Sequence, residues 1–437
     1  MPRVIRVLPL LVLLILLPSA VFSQEAGPTI DVLYIKGTIN PVLVDYIERG
    51  IEQAEDNGAA ALIIQMDTPG GLDTTMRDII QLIDGARIPV VVYIPPGARA
   101  ASAGFFITIA ADVAAMAPDT AIGAATPVSL GGDGEAEMSA ELKSKVLNDA
   151  VAYAKAIAQA HGRNVEWAEA AVREAASIPA YEALELNVID IIATDLDDLV
   201  SQLDGWQITM LDGSVVTLQT QDASVIDIKM SAIEGFLFAI SDPNIAYILL
   251  SLAILGITVE IFNPGLIFPG VVGAIAGLMA FYSLGILPVN LAGLLLMALA
   301  FGLFIAEVFT PTFGLFTAGG VVSLVIGSLI LFKGGPLFQV NPAIIVTVAI
   351  IITAILAFVI NRVLVAHRRR ATTGREELMD KSAVVRTALK PEGTVFHEGE
   401  IWLAVLDKGQ AEAGEEVIIT GFEGLKLYVT KKNKGGT

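Results

Sequence analysis

The chain has no cysteine, which excludes disulfides, thiol catalysis and thiolate metal sites. Histidine is almost as scarce. His161, His367 and His397 are spread too thinly for a histidine-rich metal centre, and no cofactor is expected. Charge is sparse at 17% of residues and unequal in sign, with 27 Lys and Arg against 46 Asp and Glu. Between Gln24 and Ala232 the count is 11 basic to 31 acidic residues, which argues against nucleic acid as a partner. What remains is apolar. The chain of 437 residues is 54% hydrophobic with a mean hydropathy of +0.69, too apolar for an ordinary soluble protein, so membrane spans are expected.

The beginning carries Arg3 and Arg6, the apolar run Val7–Leu17, and Val21-Phe22-Ser23 before Gln24. This order predicts a secretory signal over 1–23, cleaved before an exported domain. Residues 24–232 alternate strand-like runs (29–35, 60–66, 90–94, 113–117) with helix-like ones (41–57, 73–85, 102–112). The alternation predicts βαβ units and a parallel sheet. A polar, Gly-rich break at 129–137 precedes a long helix over Ser139–His161 that Gly162 ends.

From Asn244 the character changes. Apolar segments at about 245–262, 266–287, 291–309, 313–332 and 343–360 are each long enough, or nearly so, to cross roughly 30 Å of hydrocarbon. Five crossings place the chain end opposite the exported domain. His367-Arg368-Arg369-Arg370 agrees, because basic residues flank spans on the cytoplasmic side. Within 233–366 a motif repeats, with Glu260-Ile-Phe-Asn-Pro264 returning as Glu307-Val-Phe-Thr-Pro311. Both glutamates are expected at the cytoplasmic ends of their spans, either solvated in the interface or making a polar contact between hairpins or with a partner. Residues 378–437 show five short strand-like runs in a polar context, which predicts a small barrel.

Two stretches carry the chemistry. Ala61–Asp67 runs into Thr68-Pro69-Gly70-Gly71, and Val90–Ile94 runs into Ala100-Ala101-Ser102-Ala103-Gly104. The first offers backbone N–H groups that a ligand can approach closely, and the second a lone hydroxyl among small residues. On spacing alone Ser102 is a helix cap. Beside the glycine pair it becomes a candidate nucleophile, which needs a base. His161 reads as a helix-terminal group in water, which disfavours a Ser-His-Asp triad. Lysine is the remaining common base. It must be neutral to act, and lowering a lysine from about 10.4 to about 7 takes roughly 4–5 kcal/mol of burial. Lys36, Lys143, Lys145, Lys155 and Lys229 are the lysines of the exported region. Helical phase leaves Lys143 and Lys145 both open, and a plain ion pair of Lys145 with Asp149 is the bland alternative. Phe105 and Phe106 supply apolar surface near Ser102 or simply core.

Asp67-Thr-Pro-Gly-Gly71, Ala101-Ser-Ala-Gly104, Ala124-Ala-Thr-Pro-Val128 and Ala152-Tyr-Ala-Lys155 running to Gly162-Arg-Asn164 resemble the protease domain of the long-form NfeD membrane proteins. These are related to signal peptide peptidase A and to the ClpP/crotonase fold. The resemblance covers essentially the whole chain. It implies a multidomain membrane protein with an α/β ClpP/crotonase-like domain, an α-helical transmembrane region of about five helices, and a small all-β barrel of OB type. It implies Ser102 as nucleophile and, counting eight residues back from Tyr153, Lys145 as base. It assigns Gly70, Gly71 and the Ala103 amide to an oxyanion hole. The expected activity is a membrane-anchored serine endopeptidase with a Ser-Lys dyad, acting on apolar segments such as those of a stomatin-like partner. A homo-oligomer in the cell membrane is expected. The competing expectation is a non-catalytic scaffold for a stomatin- or flotillin-type partner, which would have no need of Ser102 or Lys145. An acyl-CoA reaction of crotonase type is disfavoured by export away from the cytoplasm.

Overall fold

The computed structural model describes residues 27–127, 139–262, 265–310, 312, 314–335, 337–368 and 378–432. The expected signal, the Gly-rich break and the basic pair Arg369-Arg370 lie outside these residues. The chain forms two compact units that divide between Thr353 and Ala354.

The first unit begins with strands β1 (Thr29–Lys36), β2 (Ala61–Asp67) and β3 (Val90–Ile94), joined by helices α1 (Val42–Asn57) and α2 (Asp73–Gly85). A short strand β4 (Arg99–Ala101) leads into α3 (Ala103–Ile109), then β5 (Val113–Met116) and β6 (Ala121–Gly123). Next come α4 (Ala140–Ala160), α5 (Val165–Arg173), β7 (Ser177–Pro179), α6 (Ala180–Glu185), β8 (Ile191–Ile192) and α7 (Leu196–Leu203). The hairpin β9 (Gln207–Thr209) and β10 (Val215–Thr217) precedes β11 (Ser224–Ile228).

The main sheet has the order β11-β1-β2-β3-β5-β8 and is parallel throughout. Its strands are apolar at successive positions because both faces are covered. Leu62, Ile64, Val90, Val92 and Met116 enter one core with α1–α5, while Ile63, Val91, Tyr93 and Ala115 enter the other with Leu199 and Leu203 of α7. A smaller sheet, β4-β6-β7, stands beside the C-terminal ends of these strands and carries the chain to Ser102.

Helix α8 (Ala232–Ile240) opens with a capping box between Ser231 and Glu234. The Glu234 carboxylate also holds Arg49 of α1 at 2.7 Å, so this helix is tied to the sheet domain. Five apolar helices follow: α9 (Pro243–Phe262), α10 (Ile267–Ile286), α11 (Leu291–Phe309), α12 (Leu315–Leu329) and α13 (Pro342–Arg368). Large apolar side chains face outward, including Leu278 and Phe281 at 73% and 74% exposure, as in a bundle solvated by lipid. α12 is shorter than the sequence suggests, with 15 residues spanning about 22 Å at 1.5 Å per residue.

The repeat folds as two hairpins, α9–α10 and α11–α12. Each closes on glycine. A methyl on Gly256 would stand 2.9 Å from the Gly273 Cα, and one on Gly327 would stand 2.9 Å from the Gly293 carbonyl oxygen. The matching rings Phe262 and Phe309 lie 5.7 Å apart. The expectation of a solvated glutamate is corrected for Glu307. Glu307 is 5% exposed, and its carboxylate accepts from the N–H groups of Thr312, Gly314 and Thr317 and from the Thr312 hydroxyl. It caps α12 from within the bundle. Glu260 is half-buried, and its Oε2 has no hydrogen-bond partner among the described residues.

In the second unit, β12 (Ser382–Thr387), β13 (Glu392–His397), β14 (Glu400–Leu406), β15 (Glu416–Glu423) and β16 (Lys426–Lys431) close a barrel in the order β12-β13-β14-β16-β15. Val385, Val395, Ala404, Ile419, Leu427 and Val429 fill it. This is the expected small barrel of OB type.

Candidate active site

β4 is too short to continue as a strand. Its backbone pairs with Thr68 on one side and β6 on the other, and it breaks at Ser102. Ser102 has φ 53° and ψ −116°, a conformation that costs a non-glycine residue on the order of 1–3 kcal/mol. The Ser102 N–H to Gly123 carbonyl bond at 3.0 Å helps hold it there. Such strain lifts the side chain out of the strand and into the cleft, free of helix-capping duty. The Ser102 hydroxyl makes no hydrogen bond among the described residues, and α3 begins immediately after it.

The glycine loop crosses directly above. Gly70 has φ +120°, and a methyl there would fall 2.7 Å from the Ser102 Cβ. A methyl on Gly71 would fall 2.1 Å from the Ile39 carbonyl oxygen, and one on Gly104 2.4 Å from the Thr68 Cγ2. Only glycine fits this approach. Thr68, fully buried, shapes the turn. Its hydroxyl accepts from the Gly70 N–H at 3.0 Å and donates to the Gly70 carbonyl at 3.2 Å. The Gly70 amide is thus engaged within its own loop. The N–H groups of Gly71 and Ala103 donate to no acceptor among the described residues.

Ser102 opens into a cleft of about 350 Å³ lined mainly by apolar side chains, among them Leu72, Met76, Phe106, Val146 and Phe338. Phe106 is part of this wall, whereas Phe105 is core and packs on Trp167 at 5.5 Å. One cation lies at the rim. Arg77 bonds Asp73 at 2.9 Å and Asp149 at 2.7 Å, and its guanidinium lies 4.3 Å from the centre of the Tyr153 ring. Tyr153 in turn stacks on Phe106 at 6.0 Å. This column fastens α4 to α2 and α3.

The structure does not bring Lys145 to Ser102. Lys145 and Lys143 are both exposed on the first turns of α4, and neither lines the cleft. Val146, Asp149 and Ala150 of the same helix do. Asp149 pairs with Arg77, so the Lys145–Asp149 pair considered from spacing is not formed. His161 is corrected also. Its side chain is 6% exposed rather than in water, with Nε2 3.2 Å from Asp84. It is absent from the cleft lining. Arg163 of the Gly-Arg-Asn motif is buried and bonds the carbonyls of Ile109 and Ala111 at 3.0 and 2.8 Å, and Asp190 at 2.9 Å. It anchors the far end of the helix that Ser102 begins.

Sequence reasoning missed Arg77, Asp149 and Phe338 as cleft residues. Asp73 and Arg77 stand four apart, a spacing that signals a helical ion pair. Nothing in the local sequence of Phe338 connects it to Ser102.

Comparison with known proteins places the whole chain. An NfeD1b N-terminal domain matches residues 29–227, the NfeD integral membrane domain 244–362, and the NfeD-like C-terminal, partner-binding domain 375–431. The chain is 37% identical over 441 residues to the membrane-bound protease PH1510 of Pyrococcus horikoshii, covering 99% of each chain. It is 28% identical over 443 residues to the membrane protein NfeD1b of Bacillus subtilis, covering 95% of this chain and 96% of that one. Among solved structures it is 35% identical to a lysine-to-alanine variant of the 1510-N membrane-bound stomatin-specific protease in complex with a substrate peptide. That match covers 49% of this chain and 98% of the other, with a TM-score of 0.46. With membrane, N-terminal and partner-binding domains in one polypeptide, and a strained serine facing paired glycines, the chain belongs to the NfeD family as a membrane-bound serine protease.

Proposed function

We propose that this protein cleaves apolar peptide segments by acyl transfer to Ser102, with Lys145 as general base. The observation that carries the reading is the juxtaposition of a strained, unbonded Ser102 hydroxyl with the unpaired Gly71 and Ala103 N–H groups at an apolar cleft. As Lys145 takes the hydroxyl proton, the Ser102 oxygen attacks a peptide carbonyl, whose oxyanion accepts from the two amides. The C–N bond then breaks and the leaving amine takes the proton from Lys145, leaving the acyl-enzyme. Water then resolves the acyl-enzyme. Gly70 serves by shape, since Thr68 occupies its N–H. Each oxyanion donor of this kind is worth roughly 10²–10³ in kcat.

Lys145 acts after a movement of α4. Catalytic hydrogen bonds commonly tighten only when substrate is bound. Val146 and Ala150 already face the cleft, so an apolar segment lying there draws the first turns of α4 over itself and removes water from the Lys145 amine. Lys143 is the rival on the same turns.

The substrate class follows from the lining, which selects against polar side chains, and a stomatin-like protein is the proposed partner. Two features support that choice: the partner-binding description of the C-terminal domain, and the stomatin-specific protease to which the chain is similar. The protease domain is proposed to be extracytoplasmic and the barrel cytoplasmic, on the strength of the signal-like start, five apolar helices and the basic run at 367–370.

The test is hydrolysis of an apolar, quenched fluorescent peptide by the full chain. Ser102→Ala should lower the rate at least about a thousandfold while leaving the thermal unfolding transition in place. Wild-type cleavage by that variant would remove Ser102 from the mechanism.

A further inference from the structure

Among the described residues, Phe338 is the one residue of the Ser102 cleft that comes from beyond position 232. It belongs to the connection between α12 and α13, which threads past the start of α9 and the α10–α11 turn. That connection is fixed at several points. The Asn290 N–H bonds the Leu331 carbonyl at 2.8 Å, and the Lys333 N–H bonds the Pro288 carbonyl at 2.7 Å. The Asn341 N–H bonds the Asn244 side-chain oxygen at 2.8 Å. Between these points Gly334 and Gly335, with φ +100° and +79°, turn the chain back, and the Phe338 N–H closes the turn on the Gly335 carbonyl. The ring is 4% exposed. It is a fixed wall.

The ring has a cavity on either side. One is the catalytic cleft. The other, about 160 Å³, is lined by Gly37, Phe238, Ile286, Leu287 and again Leu72 and Phe338. Leu72 and Phe338 therefore form the partition between the serine and the place where α9 and α10 meet the sheet domain. Leu72 directly follows the glycine pair, so this partition stands next to the Gly71 amide.

We propose that Phe338 is a specificity-determining residue, through which the membrane domain itself supplies one wall of the protease's substrate cleft. This rests on the reading of Ser102 as nucleophile. An aromatic face in a mainly apolar cleft rewards an apolar substrate side chain and offers a polar one no hydrogen bond. The ring touches no reacting group, so its removal changes which segments are cleaved and leaves the acyl transfer itself intact. The membrane domain then sharpens a preference for apolar segments that Leu72, Met76, Phe106 and Val146 of the sheet domain already set.

The experiment uses the full chain in detergent micelles and two quenched fluorescent decapeptides. One is rich in Leu, Val and Phe. The other has Ser and Gly in their place. Phe338→Ala should lower kcat/KM on the apolar peptide about tenfold, mainly through KM, and change the Ser/Gly peptide by less than about twofold. Phe338→Leu should recover most of the difference. Independently of turnover, a benzoylphenylalanine photocrosslinker at position 338 in a Ser102→Ala background should label the apolar peptide. Equal losses on both peptides, or no crosslink, would overturn the proposal. Wild-type hydrolysis by Ser102→Ala would instead overturn the nucleophile assignment, and the Phe338 inference with it.

Discussion

The two sides of the cleft are held by different kinds of bond. Around Ser102 the backbone does the holding, with the Ala101 N–H to Thr68 carbonyl bond, the Ser102 N–H to Gly123 carbonyl bond, and glycines packed against Ile39 and Ser102 itself. The α4 side is held by side chains, with Val151, Ala154 and Ile157 in the core and, nearer the cleft, the Arg77–Asp149 pair and the Arg77–Tyr153–Phe106 column. Backbone ladders do not adjust without local unfolding, whereas an ion pair with a partly exposed partner exchanges with water at a cost of about 0.2–1 kcal/mol. On the function proposed above, nucleophile and oxyanion donors are preset and the helix carrying the proposed base is adjustable, so that hydrolysis awaits a segment that fills the cleft.

The sharpest test of that contrast lies on the adjustable side. Lys145→Ala should reduce kcat by roughly 10²–10⁴, the range of a general base, while Lys143→Ala stays within a few-fold of wild type. The opposite ranking, measured on the same peptide, would shift the register of the base by two residues. On the fixed side, Gly71→Ala places a methyl against the Ile39 carbonyl oxygen. It should cost about 1–3 kcal/mol in chemical denaturation and roughly 10²-fold in kcat as the amide is displaced. Unchanged kinetics would show that this loop is not rigid. Asp149→Asn should raise KM by up to about fivefold at low salt and remove most of the salt sensitivity of KM, because the lost pair is screened in any case. A salt response identical to wild type would mean that the pair does not hold α4.

The smallest effect concerns the tie between the sheet domain and the membrane helices. The hydrogen-bonded Arg49 guanidinium holds the Glu234 carboxyl down at about 2, from an ordinary value of 4.5. Because the folded value is the lower one, the stabilisation is complete above pH 4.5 and is lost as pH falls towards 2. Glu234→Gln should therefore lower stability at neutral pH and flatten the decline between pH 4.5 and 2 in an acid titration followed by circular dichroism. Parallel acid profiles would place the acid sensitivity elsewhere.

Much of this was legible in the sequence for a physical reason. Val90–Ile94 and Asp73–Gly85 fall where the pattern puts them, because buried parallel strands and their crossover helices leave strong apolar signals. The glycine pair beside Ser102 was legible because so close an approach tolerates few residue types, whereas the engagement of the Gly70 N–H by Thr68 was not. The helix expected over 102–112 ends at Ile109, since apolar content does not mark a terminus that Arg163 closes from fifty residues away. Glu307 misled because a carboxylate near a helix end reads as solvated, and its four donors assemble only when the hairpin turns. Phe338 and the Arg77–Asp149 bridge were illegible because both join segments far apart in the chain. The placement of Lys145 reflects the same limit, since a helical pattern fixes a face but not what that face meets.

Arg163 has a kinetic consequence. Its guanidinium joins the last carbonyls of the serine-bearing helix to Asp190, just ahead of β8, so that helix cannot fray at its C-terminal end without taking the sheet edge with it. Amides at 107–111 should therefore exchange with heavy water at the rate of the whole sheet, not of a seven-residue helix. The amides of the first turns of α4 should exchange far faster, and they should slow when an apolar peptide is bound.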